Sequence, residues 1–234
     1  MKPIWWAVPC MMLAAGCGGA AGLESSLQIQ HGPLAYLYDS EKISEKQPET
    51  LRIGSVIVDD VLPQTTSVRQ ESGFFLPLLL VNVWKYDYQS QLGSSQLSND
   101  YKAFIKDSFI MEVRRSGKFN YVDDHGDMEI DLRIKEITMK APMRKSGNVI
   151  FLLYAVSYHQ TIWAGPAEVF VTADAVLKKE GKEIFNREFR GWGKTGMFQA
   201  KKPNLEDFTT AMIEALSSAL KNLNESIVKE MNKI

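Results

Sequence analysis

A long amphipathic segment ends this 234-residue chain and needs an apolar surface to pack against. Asn204 can cap a helix there, and Glu206 and Asp207 suit its positive end. Apolar residues then recur at the helical period: Phe208, Met212, Leu216, Leu220, Leu223, Ile227 and Met231. A helix with one continuous apolar face packs on a sheet or on another helix. We therefore expect a layered fold in which this helix is a major element.

Strand patterns supply the surface for that helix. Alternation of apolar and charged residues over 128–139 predicts a half-buried strand with one wet face. The remaining predicted elements are a strand at Leu51–Val58, a helix at Asn99–Gly117, a short strand at Phe119–Val122 and a hairpin of 169–177 and 183–192 turning at Gly181. We expect a single α+β domain over residues 51–234, with an antiparallel or mixed sheet covered by two amphipathic helices, the longer one C-terminal.

Composition narrows the possible partners. The chain is 45% hydrophobic and 24% charged, which is typical of a folded domain, and its formal charge is −1. That charge gives no electrostatic reason to expect DNA or RNA, so we predict no nucleic-acid partner.

The first residues have the layout of an export signal. Lys2 is followed by an apolar run that is too short to span a membrane. The run ends in Leu13-Ala14-Ala15-Gly16-Cys17, which resembles the lipobox of bacterial lipoproteins, although Ala14 stands where that motif usually has Leu. The resemblance implies that the chain is cleaved between Gly16 and Cys17, which removes residues 1–16. It also implies that Cys17 is acylated with palmitate or a similar chain. Residues 17–50 are then the lipidated cysteine, a small-residue tether and a loop, and more than one acyl chain would hold the protein to a membrane without a spanning helix.

Two apolar runs stand out in the rest of the chain, at 73–84 and 149–156. Each is too short to cross a bilayer as a helix. Either the runs are buried core, or they form a contact surface for a protein or for lipid. An aromatic, loop-like stretch follows the second run, at 157–166. The residues predicted to make such contacts are Phe74, Phe75, Leu79, Trp84, Phe151, Leu152 and Trp163.

Motifs for catalysis and for cofactors are weak. His31, His125 and His159 do not have zinc-ligand spacing, and Asp123–Asp127 is typical of a turn between strands. Gly191–Gly196 ends in Gly-Lys-Thr but lacks the first glycine and the following helix of a phosphate-binding loop. We predict no catalytic residue, no metal and no cofactor, so the protein is not expected to be an enzyme. An envelope hydrolase remains the weakest hypothesis and would need a polar pocket around His159 or Asp123–Asp127.

The order of elements and the lipobox together resemble the small α+β lipoproteins that face the periplasm. These include auxiliary lipoproteins of ABC-type lipid transport and lipoproteins of secretion and lipopolysaccharide assembly. Ser116–Val122 and the following strand at Met128–Ile137 are the part most similar to them. The resemblance implies a non-enzymatic accessory or assembly subunit of a cell-envelope complex, at the outer membrane, with an envelope protein as partner. A carrier that shelters a lipid or glycolipid between sheet and helix is the alternative.

Overall fold

The computed structural model describes residues 34–36, 39–98, 100–152, 155–196 and 205–234, together with Leu23. Within these ranges the chain forms eight strands, two α-helices and a short 3₁₀ turn at Ser94–Gln96. The strands are β1 Thr50–Val58, β2 Gln64–Leu76, β3 Leu79–Gln91, β4 Asn120–Tyr121, β5 Met128–Leu152, β6 Ala155–Ala164, β7 Glu168–Lys179 and β8 Lys182–Lys194. The helices are α1 Tyr101–Ser116 and α2 Leu205–Met231. The α+β prediction is confirmed, as is the longer C-terminal helix.

The body of the protein is a mixed sheet in the order β8-β7-β5-β1-β4. β1 runs parallel to both β4 and β5, while β7 is antiparallel to β5 and to β8. Helices α1 and α2 pack on this sheet and on each other. The predicted hairpin is β7–β8, and it turns at Glu180 and Gly181, which both have positive φ. Such a two-residue turn matches the twist of the strands that it joins.

The core lies between the body sheet and the two helices. All seven apolar residues predicted for the face of α2 are buried there. They meet alternate residues of β5 and β7, among them Ile130, Leu132 and Val171. Contact between α2 and β8 is close, since a Cβ added to Gly191 would lie 2.0 Å from the Ala219 carbonyl oxygen. The helix therefore rests on the sheet at backbone distance.

A buried polar network fastens the N-terminal segment to the helices. The Tyr36 hydroxyl donates to Glu112 Oε2 at 3.0 Å, and Asn224 Nδ2 donates to the Tyr36 hydroxyl at 3.3 Å. The Ser116 hydroxyl donates to the second Glu112 oxygen at 2.6 Å. Burial raises the pKa of Tyr36 well above its usual value near 10. The chain that leads from Cys17 thus enters the fold against α1 and α2.

Strand β5 is long enough to belong to two sheets. Its 25 residues measure about 80 Å at the usual rise of a strand. Met128–Lys140 pairs with β7, whereas the half from Ala141 to Leu152 pairs with β3 on one side and β6 on the other. The second half carries an antiparallel sheet in the order β2-β3-β5-β6, which we call the projecting sheet (residues 64–91 and 141–164).

The projecting sheet decides one alternative that the sequence left open and corrects one prediction. Residues 73–84 are not buried core, because they lie in the hairpin of β2 and β3 with large side chains exposed. The stretch 157–166 is not a loop, since most of it belongs to β6. Both runs were apolar enough to suggest burial, but no further layer of the described chain covers them. Within the described ranges, neither helix combines the length and the apolar composition that crossing a membrane requires.

Candidate functional site

Two hairpins end side by side at the far end of the projecting sheet. Pro77 and Leu78 connect β2 to β3, so Leu76 lies opposite Leu79. On the other side, Leu79 lies opposite Leu152, and Leu152 lies opposite Ala155. All four strands therefore finish in the same row, and each row from there down to Met143 contains one residue from each strand.

The last three rows contain almost only apolar side chains. We call these rows and Leu78 the apolar tip: Leu76, Leu79, Leu152 and Ala155; Phe75, Leu80, Phe151 and Val156; Phe74, Val81, Ile150 and Ser157. Successive rows point to opposite faces of a sheet, so both faces of the tip are apolar. Phe75 is 67% exposed, Leu78 is 62% exposed and Val156 is 63% exposed. Large apolar side chains in one exposed cluster are typical of a contact site.

The turn at the end of the tip holds a leucine in an unusual conformation. Leu78 has a φ of 70°, in the region that favours glycine. Proline followed by a residue with positive φ is a common turn sequence, but the second residue is usually Gly or Asn. A strained bulky residue often marks a functional position. The turn between β2 and β3 therefore presents a large apolar side chain from a strained backbone position.

An aromatic pair lies just below the tip on one face. The rings of Trp84 and Tyr158 are 5.8 Å apart. The indole of Trp84 lies over Gly147, because a Cβ added to Gly147 would come within 2.6 Å of its Cζ2 atom. Gly147 thus leaves space for the indole to reach towards Tyr158.

Charged side chains begin at the level of Trp84, where Glu71 lies opposite the indole-bearing residue. Residues 72–84 and 146–167 contain no Asp, Glu, Lys or Arg. Lower in the sheet, Arg144 Nε lies 2.7 Å from Asp87 Oδ1, and Lys85 Nζ lies 3.1 Å from Asp87 Oδ2. Hydrogen bonds from Arg144 and Lys85 lower the pKa of Asp87. From its end towards the body, the projecting sheet therefore shows the apolar tip first, then the aromatic pair, with charged side chains from the row of Trp84 onwards.

The structure places the predicted contact residues at three levels of the projecting sheet. Phe74, Phe75, Leu79, Phe151 and Leu152 all belong to the apolar tip, and Trp84 belongs to the aromatic pair. Trp163 lies opposite Arg144 at the base of the projecting sheet, away from the tip. It lines a shallow cleft there with Val68 and Pro142.

Sequence reasoning did not single out Leu78 and Val156, although both lie in the two apolar runs, and it found neither Tyr158 nor the meeting of the two hairpins. The available signal was the Pro77-Leu78 turn, which divides the run 73–84 into two apolar halves. Interpreting these halves as the two arms of one hairpin would have placed their side chains at its end.

The other candidate residues have structural partners. Asp127 accepts hydrogen bonds from the Thr50 backbone N–H and hydroxyl, both at 2.9 Å, and these bonds lower its pKa. His159 Nε2 lies 3.1 Å from the Thr161 hydroxyl on the exposed face of β6. Among the described residues, no group of three or more His, Cys, Asp or Glu side chains is placed to hold a metal ion. His31 lies outside the described residues.

The glycine-rich stretch of β8 also has a structural explanation. Gly191 and Gly193 lie under α2, where a Cβ on either would come within 2.0 Å of a helix carbonyl oxygen. Lys194 Nζ is 2.9 Å from Glu168 Oε1. These residues serve helix packing and strand pairing, which accounts for their resemblance to part of a phosphate-binding loop.

Comparison with known proteins gives little further information. Neither a family model nor a curated protein matches this chain. Among solved structures, the chain is similar to protein XCC0632 from Xanthomonas campestris, described by the family model DUF330. The similarity covers 87% of this chain and 96% of that one, at 10% sequence identity and a TM-score of 0.38. A likeness of this size supports neither a family nor a function for this chain.

Proposed function

We propose that this chain is a lipid-anchored protein of the bacterial cell envelope that works by binding and not by catalysis. It would serve as an accessory or assembly subunit of an envelope complex, facing the periplasm at the outer membrane, with the projecting sheet as its contact element. The observation that carries this proposal is the apolar tip. A cluster of exposed Phe and Leu side chains at the end of a long sheet has no role in the core.

Two features of the sequence support the location. The lipobox at Leu13–Cys17 would attach the chain to a membrane through acyl groups on Cys17. The tether of small residues that follows Cys17 would let the folded body stand away from its anchor.

The chemistry of the tip supports binding over catalysis. Its described side chains are hydrocarbon or aromatic apart from Ser157, and catalysis needs groups that transfer protons, attack or hold a metal ion. Asp127 is engaged with Thr50, so the acidic turn is better explained as structure than as a hydrolytic site.

The carrier alternative requires a space between sheet and helices. The contact of α2 with Gly191 and Gly193 leaves little room there, and the two apolar runs lie in the projecting sheet instead of lining that layer. The geometry therefore favours a contact surface over an enclosed acyl-binding cavity.

Site-specific photocrosslinking in cells tests the proposal. A photoreactive amino acid at Phe75 should give discrete crosslinked products with envelope components, whereas the same residue at Phe170 should not. Phe170 is an exposed aromatic residue of the body sheet, which makes it a matched control. Equal products from both positions, or none from Phe75, would contradict the proposal. Recovery of one bound lipid per chain by native mass spectrometry, with no product from Phe75, would favour the carrier instead.

A further inference from the structure

We infer that the apolar tip inserts into the interfacial region of a lipid bilayer. This inference rests on the proposed contact role of the projecting sheet and names the partner of its end. A sheet that docks on a protein commonly presents one face or one edge. Here both faces of the sheet and the turn between β2 and β3 are apolar. The tip therefore suits surroundings that are apolar on every side, as acyl chains are.

The layers of the sheet match the layers of a membrane surface. Tyr and Trp are enriched where acyl chains meet headgroups, and basic side chains lie further out. The aromatic pair of Trp84 and Tyr158 follows directly after the apolar tip. On the same face of the sheet, Glu71 lies opposite Trp84, and Arg69 and Lys145 come next because both lie opposite Tyr86, two residues after Trp84 in β3.

Net charge selects the kind of lipid. The projecting sheet carries four basic residues (Arg69, Lys85, Arg144 and Lys145) and two acidic ones (Glu71 and Asp87). All six lie below the tip, at the level that headgroups would occupy. A positive excess at this level favours membranes that contain anionic lipid.

The open edges of the sheet limit the depth of insertion. Among the described residues, the outer edges of β2 and β6 pair with no other strand. Unpaired backbone groups are costly in hydrocarbon but can bond water and headgroups at the interface. The three rows and the turn measure about 10 Å at the rise of a strand, which is the depth of interfacial elements.

A fluorescent reporter on the tip tests this inference directly. In a full-length chain with Cys10→Ser and Cys17→Ser, an environment-sensitive dye is attached to a cysteine introduced by Leu78→Cys or, as a control, by Glu180→Cys at the β7–β8 turn. We expect a blue shift at position 78 with vesicles of phosphatidylcholine and phosphatidylglycerol, and none at 180. Lipid-borne quenchers near the headgroup should reduce emission from position 78 more than quenchers at the acyl ends.

Paired substitutions test whether the side chains of the tip are responsible. Phe75→Ser and Phe151→Ser should each weaken partitioning into these vesicles about tenfold, because a buried Phe contributes at least this much. Phe170→Ser removes a ring of the body sheet that is 42% exposed, between Phe151 at 36% and Phe75 at 67%, and should leave partitioning unchanged. Circular dichroism of each variant checks that it is folded.

Three results would overturn the inference. The first is an unchanged emission at position 78 in the presence of vesicles. The second is a blue shift that depends on protein concentration without vesicles, which would indicate contact with a second copy. The third is crosslinking of Phe75 to an envelope protein with no quenching by lipid, in which case the proposed function stands and only the lipid partner is wrong.

Discussion

Leu78 shows at the scale of one residue how the demands of folding and of binding differ. Its positive φ costs backbone strain of about 1 kcal/mol or more, which a glycine would not carry. Its side chain contributes exposed apolar surface at the end of the tip. A contact role would account for a strained residue whose side chain is 62% exposed.

Replacement of Leu78 by glycine separates these two roles. Relief of strain and the extra freedom of glycine in the unfolded chain oppose each other, so the free energy of unfolding should change by less than about 1 kcal/mol. Partitioning into anionic vesicles should fall several-fold. Thermal unfolding by circular dichroism and vesicle sedimentation measure the two effects. A clear loss of stability would instead show that Leu78 holds the turn together.

Tyr36 illustrates the opposite case, a polar residue whose partners are all internal. Its hydroxyl bonds to Glu112 and Asn224 in a buried network. Tyr36→Phe should lower the free energy of unfolding by about 1–3 kcal/mol, since it leaves buried polar partners unsatisfied. Urea denaturation measures this loss. Tyr158→Phe, at a hydroxyl on an exposed ring, is the control and should have a much smaller effect.

The same residue makes stability depend on alkaline pH. Burial raises the pKa of Tyr36 in the folded protein above the value near 10 that it has when unfolded. Its neutral form is therefore favoured by folding, so stability is full below about pH 10 and falls as the pH rises above that value. Part of this decline should be absent in Tyr36→Phe. Denaturation curves of both proteins across this pH range should diverge, and parallel declines would contradict the assignment.

At the scale of elements, local patterns were sufficient for the body and insufficient for the projecting sheet. The helical period of α2 and the Gly181 turn depend on neighbouring residues, so the sequence predicts both correctly. Whether an apolar strand is buried depends on what covers it, and that is decided by distant parts of the chain. The exposure of residues 73–84 could therefore not be predicted from their own composition.

Strand β5 adds a second reason for the difference. Pro142 and the Gly147 region interrupt its alternation, so the sequence suggested two separate elements. Pro142 lies where β5 changes its partner from β7 to β6, and its carbonyl accepts the Gly165 N–H at 2.7 Å. A break in a pattern can therefore mark a change of partner within one continuous strand.

The contact of α2 with β8 makes a testable prediction for the glycine-rich stretch. Gly191→Ala should lower the free energy of unfolding by about 2–3 kcal/mol, because the new methyl group would collide with the helix backbone. Gly196→Ala is the matched control, since a Cβ there meets nothing within 4 Å, and it should change stability by less than about 0.5 kcal/mol. Urea denaturation of both variants gives the comparison. Equal effects would mean that the close approach does not constrain α2.

At the scale of the whole molecule, the chain would make two separate contacts with lipid. Acyl groups on Cys17 would hold the N-terminal end, and the apolar tip would act at the end of β5. Acyl anchors with more than one chain bind membranes stably, whereas an interfacial apolar element binds reversibly. Once anchored, the tip would act at a high effective concentration wherever the tether lets it reach a bilayer.

Combining substitutions at the two contacts tests this arrangement in cells. The Phe75→Ser/Phe151→Ser variant should remain fully with the membrane fraction, because the acyl anchor alone is sufficient. The Cys17→Ala variant should be only partly retained in the membrane fraction. The triple variant, which combines Cys17→Ala with Phe75→Ser and Phe151→Ser, should move to the soluble fraction because it lacks both contacts. Fractionation followed by intact mass measures the distribution, the acyl groups and the removal of residues 1–16. Full retention of the triple variant without acyl mass would show that neither contact holds the protein, whereas full release of Cys17→Ala would assign all membrane attachment to the anchor.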